Sequence, residues 1–307
     1  MAGDEIGDRK DGRLSPESNE LKVLVQKITD LPTLPAMMAT ITRLMQDPRT
    51  SAEELGRAIA SDPALVSKVL KLVNSAFYGF PGRISTITQA IVILGFSTIR
   101  NVVLTTSVLK AFGKHNAPGG IDVGKFWEHS LLTGAIARAL AVEREANFIE
   151  ETFIAGLLHD MGRIVLSQKL TAEFEKVRIV KEKAGLSQLA AEQSVLKLTH
   201  GDIGGWLARK WNLPIPYVEV MRLHHFPAEA INLEPPSQSD TTNLIYIVHA
   251  ADVLSKGLKD GKPDLASADG IDSAVRAELK IGEAGWERFQ SRTEEEIGKA
   301  RSFLEIL

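Results

Sequence analysis

The sequence predicts an all-α protein of two parts, an N-terminal helical bundle followed by a second helical bundle. Apolar residues recur at helical spacing along nearly the whole chain, no convincing series of strands appears, and no motif repeats at a fixed period. The 307 residues leave room for two domains or for one large domain. The strongest break, at 113–120, predicts a first unit over 20–115 and a second over 116–307, after a disordered lead-in at 1–19.

Capping signals place the first helices. Ser51 with Glu54 forms a capping box, and Asp62 followed by Pro63 predicts the start of the next helix. The run 84–94 is rich in β-prone residues, but its apolar side chains share one helical face, so a short helix ending at Gly95 is predicted, with another helix at 96–112. The Phe77-Tyr78 pair is predicted to fold onto the core, and an exposed partner surface is the alternative.

The second unit is predicted to start with a long helix at about 123–143. The further helices are predicted at 150–170, 171–184, 187–211, 215–225 and 241–256, with a C-terminal helical pair in 273–307. A turn at 235–240 allows Asp240 or Thr241 to cap the helix that follows, and 257–272 is predicted to be a surface loop.

Composition indicates an ordinary soluble globular protein. Hydrophobic residues make up 44% and charged residues 24% of the chain, and the formal net charge of -3 implies no general attraction to nucleic acid or to an acidic membrane. The sequence has no run of about 18 apolar residues and no secretory signal, so neither a membrane span nor export is predicted. The absence of cysteine excludes disulfides and thiolate ligands, and it fits a cytoplasmic location.

Seven histidine and aspartate residues form the strongest functional signal. They recur at irregular intervals as His129, His159, Asp160, His200, His224, His225 and Asp252. No helical period explains this spacing, and two metal ions that share a carboxylate would need about this number of nitrogen and oxygen donors. The alternative, that each is an ordinary hydrogen-bonded residue, requires unrelated coincidences in five helices. His115 is assigned to a loop, and His249 is either a residue behind the metal ligands or a plain core residue.

Both aspartates of the series are expected inside apolar helices. Asp160 closes the apolar run 153–158 within the predicted helix 150–170, and Asp252 lies in the apolar run 244–254. An ionised carboxylate in such surroundings costs free energy unless it is paired or bound to a metal. This requirement favours the metal-site hypothesis.

The motifs around these residues resemble those of the HD superfamily of metal-dependent phosphohydrolases. His129, His159-Asp160 and Asp252 resemble its H…HD…D signature, and the other three histidines resemble the two-metal arrangement of its HD-GYP branch. The chain is most similar to the HDOD family, the HD-related output domains, over about residues 23–257. This resemblance is carried by Leu31-Pro32-Thr33-Leu34-Pro35, Ser61-Asp62-Pro63-Ala64-Leu65, Val73-Asn74-Ser75-Ala76-Phe77-Tyr78-Gly79, Ala90-Ile91-Val92-Ile93-Leu94-Gly95, Glu128-His129-Ser130, Gly156-Leu157-Leu158-His159-Asp160-Met161-Gly162, His200-Gly201-Asp202-Ile203-Gly204, Trp211-Asn212-Leu213-Pro214 and His224-His225-Phe226-Pro227.

The resemblance implies a second bundle of the HD-superfamily type and a dinuclear centre with a defined ligand set. The first ion would be bound by His129, His159, Asp160 and Asp252, and Asp160 would bridge to a second ion held by His200, His224 and His225. Ligation by nitrogen and oxygen atoms alone suits iron, manganese or zinc, and the resemblance favours iron or manganese.

Two features depart from the HD-GYP pattern. Arg163 stands where those enzymes have a lysine after the HD pair. Phe226-Pro227 follows the paired histidines where the enzymes have a glutamate and a Gly-Tyr-Pro loop that shapes a cyclic-dinucleotide pocket. The substrate pocket of the enzyme branch is therefore not expected in this chain.

Two functions remain open at this stage. Resemblance to the HDOD family implies a bacterial signal-transduction output module with a protein partner and no assured catalysis. The alternative is a metal-dependent phosphohydrolase acting on a nucleotide or cyclic dinucleotide, in which Asp160 and Arg163 are the catalytic residues and a phosphate-bearing small molecule is the substrate. Both hypotheses predict bound divalent metal, and neither predicts nucleic acid or a membrane as a partner.

Overall fold

The computed structural model describes residues 36–47, 49–112, 120–233, 239–280 and 282–306. Over these residues the chain forms fourteen α-helices and one ribbon of two very short strands, so the all-α prediction is confirmed. The predicted lead-in at 1–19, the segment containing His115 and most of the predicted break at 113–120 lie outside the described residues. The proposed domain limits therefore stay predictions.

The N-terminal helices begin where the capping signals predict. Their bounds are α1 Ala36–Gln46, α2 Ala52–Ala60, α3 Pro63–Val73 and α4 Ile87–Phe112. The backbone N–H of Glu54 donates to the Ser51 hydroxyl at 3.1 Å, and the side chain of Asp62 caps α3. Helices α1 to α3 pack against α4, which forms the centre of this part of the fold.

Helix α4 is bent at Gly95. This residue has φ 84° and ψ 163°, a conformation that glycine adopts without steric cost, so the prediction of two helices that meet at Gly95 is confirmed. Among the described residues α4 is the one helix long and apolar enough to cross a membrane. Its stretch 101–109 is buried without interruption, which is the pattern of a core helix.

The next four helices lead into the candidate site. Their bounds are α5 Val123–Glu143, α6 Ile149–Leu158, α7 Met161–Lys169 and α8 Thr171–Ala184. The prediction of one continuous helix over 150–170 is wrong, because His159 and Asp160 form a turn between α6 and α7. The two residues therefore lie at a helix junction and not inside a buried helix.

A close backbone contact fixes the start of α7. A Cβ atom on Gly162 would lie 1.9 Å from the carbonyl oxygen of His200, so only glycine allows α7 to approach the residue that begins α10. This approach places the Asp160 carboxylate beside the His200 ring.

The predicted helix over 187–211 is also divided in two. The helices here are α9 Gln188–Leu196, α10 His200–Lys210 and α11 Ile215–Leu223. Lys197 takes a left-handed conformation with φ 60°, and Thr199 with Asp202 forms a capping box that starts α10. The chain therefore turns back on itself immediately before His200.

The C-terminal part covers the second bundle. Its elements are α12 Ser239–Lys256, β1 Leu258–Lys259, β2 Lys262–Pro263, α13 Ser273–Glu278 and α14 Trp286–Ile306, and two 3-10 helices occupy Pro227–Asn232 and Leu265–Gly270. The predicted surface loop at 257–272 thus contains the strand ribbon and a 3-10 helix. Asp240 and Thr241 lie within α12, while 234–238 of the predicted turn is outside the described residues.

Helix α5 is the centre of the second bundle, and α6, α12 and α14 pack against it. The two parts of the fold meet through aromatic side chains. The Phe77 ring lies 4.5 Å from the Phe153 ring, and the Phe112 ring lies 5.9 Å from the Trp211 ring, both between centroids. Phe77 is 2% exposed, so the prediction that it folds onto the core is confirmed.

Candidate metal centre

The seven histidine and aspartate residues of the sequence signal converge on one place. His129 and Asp252 lie on α5 and α12, His159-Asp160 forms the turn between α6 and α7, His200 begins α10, and His224-His225 follows α11. His129 and His225 are partly exposed, and the other five residues are buried. Residues up to 123 positions apart in the chain therefore form one polar cluster between the helices of the second bundle.

One half of the cluster surrounds the Asp252 carboxylate. Its Oδ1 atom lies 3.1 Å from Nε2 of His129 and 3.5 Å from Nε2 of His159. The Asp160 carboxylate approaches the same two histidines, with Oδ1 at 3.7 Å from His159 Nε2 and Oδ2 at 3.9 Å from His129 Nε2.

The other half surrounds Oδ1 of Asp160. Nε2 of His200 lies 3.1 Å from this atom, and Nε2 of His224 lies 3.7 Å from it. Nε2 of His225 lies 3.0 Å from Nε2 of His200. Two nitrogens bound at right angles to one ion, with bonds of about 2.1 Å, are separated by about 3 Å. Asp160 belongs to both halves: it has the spacing of an ion site with His129 and His159, and again with His200, His224 and His225.

Buried atoms without hydrogen bonds mark the centre of the cluster. Nε2 of His129, His159 and His224 and Oδ1 of Asp252 are buried, and none makes a hydrogen bond of acceptable geometry. Nδ1 of His159 donates to the Gly156 carbonyl at 2.6 Å, so in the neutral ring Nε2 carries the free electron pair. Nδ1 of His224 likewise donates to the Met221 carbonyl at 3.0 Å. Orphaned electron pairs that converge in this way fit a divalent metal.

Burial keeps two of the histidines neutral. It lowers the pKa of His224 to about 4, and it lowers the pKa of His225 far below the ordinary value, with the neighbouring histidines adding to both effects. In contrast, the pKa of His200 is raised to about 10, because the charges of Glu192 and Asp160 outweigh the effect of burial. Neutral imidazole is the form that binds metal, so His224 and His225 are ready to act as ligands.

The two carboxylates are held ionised. Burial raises the pKa of Asp160, but His159, Arg163 and His200 outweigh it and hold the pKa well below its usual range. The pKa of Asp252 is lowered in the same way by its histidine neighbours and Lys256. Both carboxylates are therefore in the charged form that binds a cation.

Each carboxylate also accepts a hydrogen bond from a cationic side chain on its own part of the chain. Nη1 of Arg163 donates to Oδ2 of Asp160 at 2.7 Å, and Nζ of Lys256 donates to Oδ2 of Asp252 at 2.7 Å. Oδ1 of each carboxylate is left facing the histidines. Arg163 is partly exposed and Lys256 is exposed, with 29% and 55% of their side chains accessible, so they lie at the edge of the centre.

Glu192 is a site residue that the sequence did not reveal. It is fully buried, and its Oε2 accepts hydrogen bonds from the backbone N–H of His200 at 2.9 Å and from Nδ1 of His200 at 2.7 Å. Nε2 of Gln188 donates to its other oxygen at 2.9 Å. A carboxylate behind a histidine orients the ring and makes it a stronger ligand. The sequence did not indicate this contact because 187–211 was predicted as one helix. In a continuous helix the side chains at positions 192 and 200 would lie about two turns apart and would not meet.

His249 supports His224 from behind. Its Nδ1 donates to the carbonyl oxygen of His224 at 2.7 Å, and its Nε2 accepts from the backbone N–H of Asp272 at 3.1 Å. Both nitrogens are occupied, so His249 is not available to a metal. Of the two alternatives left open, the position behind a candidate ligand is the one observed.

Comparisons with known proteins place the chain among related sequences. A family model of the HDOD domain matches residues 31–227. An uncharacterized protein of Treponema pallidum (strain Nichols) is 27% identical over 203 residues, which make up 66% of this chain and 39% of that protein. The chain thus spans about two fifths of the length of this relative.

Solved structures share the fold. A candidate phosphohydrolase from Shewanella amazonensis SB2B is 22% identical, with a TM-score of 0.71 and coverage of 94% of this chain and 99% of that one. A candidate signal transduction protein from Marinobacter aquaeolei VT8 is also 22% identical, with a TM-score of 0.63 and coverage of 96% of this chain and 67% of that one. At these identities the likeness concerns the fold alone.

Proposed function

Because this chain belongs to the HDOD family, we propose that it is a regulatory output module of a bacterial signal-transduction system, built around a centre that binds two divalent ions. The single observation that carries the metal centre is the convergence of buried, unbonded Nε2 atoms from His129, His159 and His224 on ionised carboxylates. A protein partner and a cytoplasmic location belong to this proposal.

The donor set suggests how two ions would be held. His129, His159 and Asp252 would bind one ion, His200, His224 and His225 would bind the other, and Asp160 would be shared. A site made of imidazole and carboxylate alone suits iron, manganese or zinc, and resemblance to the HD superfamily favours iron or manganese. When bound, such a pair supplies positive charge that polarises a phosphoryl group and acidifies a water molecule.

Two features favour regulation over catalysis. Arg163 and Lys256 each bond to one oxygen of a metal-site carboxylate, so their charges are directed to the protein's own acids. The chain enters a 3-10 helix at Pro227, directly after Phe226, at the position where the HD-GYP branch builds its substrate loop. The metal centre would then stabilise a conformation that a partner protein recognises.

A phosphohydrolase is the second candidate, and the completeness of the ligand set favours it. In that case Asp160 would be essential as the shared ligand. The partly exposed Arg163 would exchange its bond to Asp160 for two hydrogen bonds to a phosphate-bearing substrate. The similar fold of the Shewanella amazonensis protein is compatible with this candidate.

One experiment tests both candidates. The protein is purified without chelator, metal per chain is measured by mass spectrometry, and phosphodiesters, cyclic dinucleotides and nucleotides are assayed with added manganese or iron. Two ions per chain and no turnover support the regulatory module, while turnover abolished in a folded Asp160→Ala variant establishes the hydrolase instead. Absence of metal after loading with either ion refutes the centre.

A further inference from the structure

A cavity lies at the N-terminal end of α11, where the two parts of the fold meet. Its volume is about 480 Å³, a size typical of small-molecule sites. It lies between α1 and α4 on one side and α10, α11 and their connection on the other. It is lined by Thr42, Arg100, Arg209, Asn212, Leu213, Pro214, Ile215 and Val218.

Two hydrogen-bond donors of this lining are buried and unused. Thr42 is 8% exposed, and its hydroxyl has no hydrogen-bond partner among the described residues. Nε of Arg100 is also buried and has no hydrogen-bond partner among the described residues. Buried donors without partners are rare in folded proteins, and both of these would be satisfied by an oxygen-rich acceptor in the cavity.

The charge of the lining has one sign. It contains the guanidinium groups of Arg100 and Arg209 and no carboxylate. In the part of the chain that the structure describes, Arg100 forms no ion pair with an acid, and Arg209 approaches Glu219 at 3.4 Å. Glu219 also accepts a hydrogen bond from Nε of Arg222 at 2.8 Å, so its charge is shared between two arginines. An excess of positive charge therefore remains at the cavity.

Part of the wall that faces α1 and α4 is apolar. Leu213, Pro214, Ile215 and Val218 form it, and 55% of Ile215 is exposed. Apolar surface next to arginine groups matches a molecule in which an anionic group is attached to a ring or a hydrocarbon chain.

We propose that this cavity binds a small amphipathic anion, in which a phosphate or carboxylate contacts Arg100, Arg209 and Thr42 while an apolar ring or chain packs on the Pro214–Val218 wall. The site is distinct from the metal centre and does not depend on the metal. It gives the chain a place, apart from the metal centre, at which a small molecule can be sensed.

The test is calorimetric titration of the full chain with phenyl phosphate, benzoate, inorganic phosphate and phenol. Phenyl phosphate or benzoate is expected to bind more tightly than inorganic phosphate, which has the anionic group without a ring, or phenol, which has the ring without an anionic group. The tighter of the two aromatic anions identifies the anionic group. Failure of both aromatic anions to bind at millimolar concentration would overturn the proposal.

Variants separate this cavity from the metal centre. Arg100→Gln and Arg209→Gln are each expected to weaken binding of the tighter probe by at least about tenfold, since each removes a charge-assisted hydrogen bond. Arg57→Gln, on the exposed side of α2, should leave the affinity unchanged. Asp160→Asn should also leave the affinity for the probe unchanged. If this variant lost binding while both arginine variants kept it, the probe would be bound at the metal centre and the cavity proposal would be refuted. Arg209 is 61% exposed, so its variant remains informative if Arg100→Gln does not fold.

Discussion

Glu192 accepts hydrogen bonds from both the backbone N–H and Nδ1 of His200 through a single carboxylate oxygen. This pair of bonds fixes the direction in which the His200 ring presents Nε2 to Asp160. Glu192→Gln is expected to raise the dissociation constant for metal about 10- to 100-fold, because a neutral amide orients the ring less well and makes it a weaker donor. Metal competition against a chromophoric chelator measures this constant.

The matched control is Glu53→Gln, which makes the same chemical change at an exposed position of α2. It should leave the metal affinity unchanged. Equal affinities for the Glu192 and Glu53 variants would show that Glu192 does not act on a metal ligand.

Gly162→Ala should damage the fold and the site together. The added Cβ would lie 1.9 Å from the carbonyl oxygen of His200, which is a backbone atom and cannot rotate away. We expect a loss of about 1–3 kcal/mol in the free energy of unfolding and a lower metal content, because α7 and α10 must separate. Urea denaturation and metal analysis measure the two effects.

Gly298→Ala is the opposite case and serves as its control. Nothing lies within 4 Å of a Cβ at this position, and Gly298 is in the middle of α14. Alanine there should stabilise the protein by up to about 1 kcal/mol, since it favours the helix. If Gly162→Ala proved as harmless as Gly298→Ala, the close approach of α7 to His200 would not be required.

Tyr217→Phe should change how stability depends on alkaline pH. Burial raises the pKa of Tyr217 above its ordinary value, and Glu151 adds to this effect while Arg100 and Asn101 oppose it. Above about pH 10 the unfolded chain loses the phenol proton that the folded chain retains, so stability falls as pH rises. Removal of the phenol should reduce this slope by at most about 1.4 kcal/mol per pH unit.

Urea unfolding of both proteins at several pH values between about 9 and 11 measures the slope. The hydroxyl of Tyr217 also donates to Asn101 Oδ1 at 3.0 Å, so the variant should be less stable at neutral pH as well. Only the difference in slope tests the titration, and parallel curves would contradict it.

Arg138→Met should destabilise the second bundle strongly. Arg138 pairs with the buried Glu296 of α14 and with Glu150 of α6, and its guanidinium carbon lies 4.9 Å from the centre of the Phe77 ring. Loss of the cation leaves the buried Glu296 with Lys299 as its remaining partner, at 3.0 Å, and removes the ion-pair partner of Glu150, so we expect a loss of about 3 kcal/mol of unfolding free energy. Chemical denaturation measures the loss.

The double variant Arg138→Met with Glu296→Gln should recover part of this stability, because the buried side chain of Glu296 is then neutral and only the partly exposed Glu150 has lost its cation. Arg178→Met, which breaks an exposed ion pair with Glu175, should have little effect. Additive losses in the double variant would mean that the two side chains do not act as a pair.

Local signals predicted helix starts well, and turns inside apolar runs were missed. The Ser51 and Asp62 caps were identified because the interacting groups lie within three residues of each other. The interruptions at 159–160 and 197–199 went unseen because helical periodicity continues on both sides of them. Lys197 also takes its left-handed conformation without the glycine or asparagine that would signal it.

The seven residues of the cluster could be predicted from the sequence, but most of the hydrogen bonds that hold them in place could not. The residues of the histidine and aspartate series converge as the hypothesis required. They could be selected from the sequence because imidazole and carboxylate groups are known metal donors. Their role as ligands stays a prediction. Glu192 was not identifiable as a support, and for His249 the sequence left two alternatives open, since the bonds of both residues depend on how α10 and α12 are placed. The bonds of Arg163 and Lys256 to the carboxylates are likewise visible only after folding.

The position of Asp252 on α12 has a consequence for the modularity of this protein. The family match ends at residue 227, whereas Asp252 contacts His129 from a helix that lies beyond that limit. A fragment cut to the family boundaries would keep six of the seven candidate ligands and lose the seventh together with His249. The smallest unit that carries all seven candidate ligands is therefore larger than the region that the family model matches.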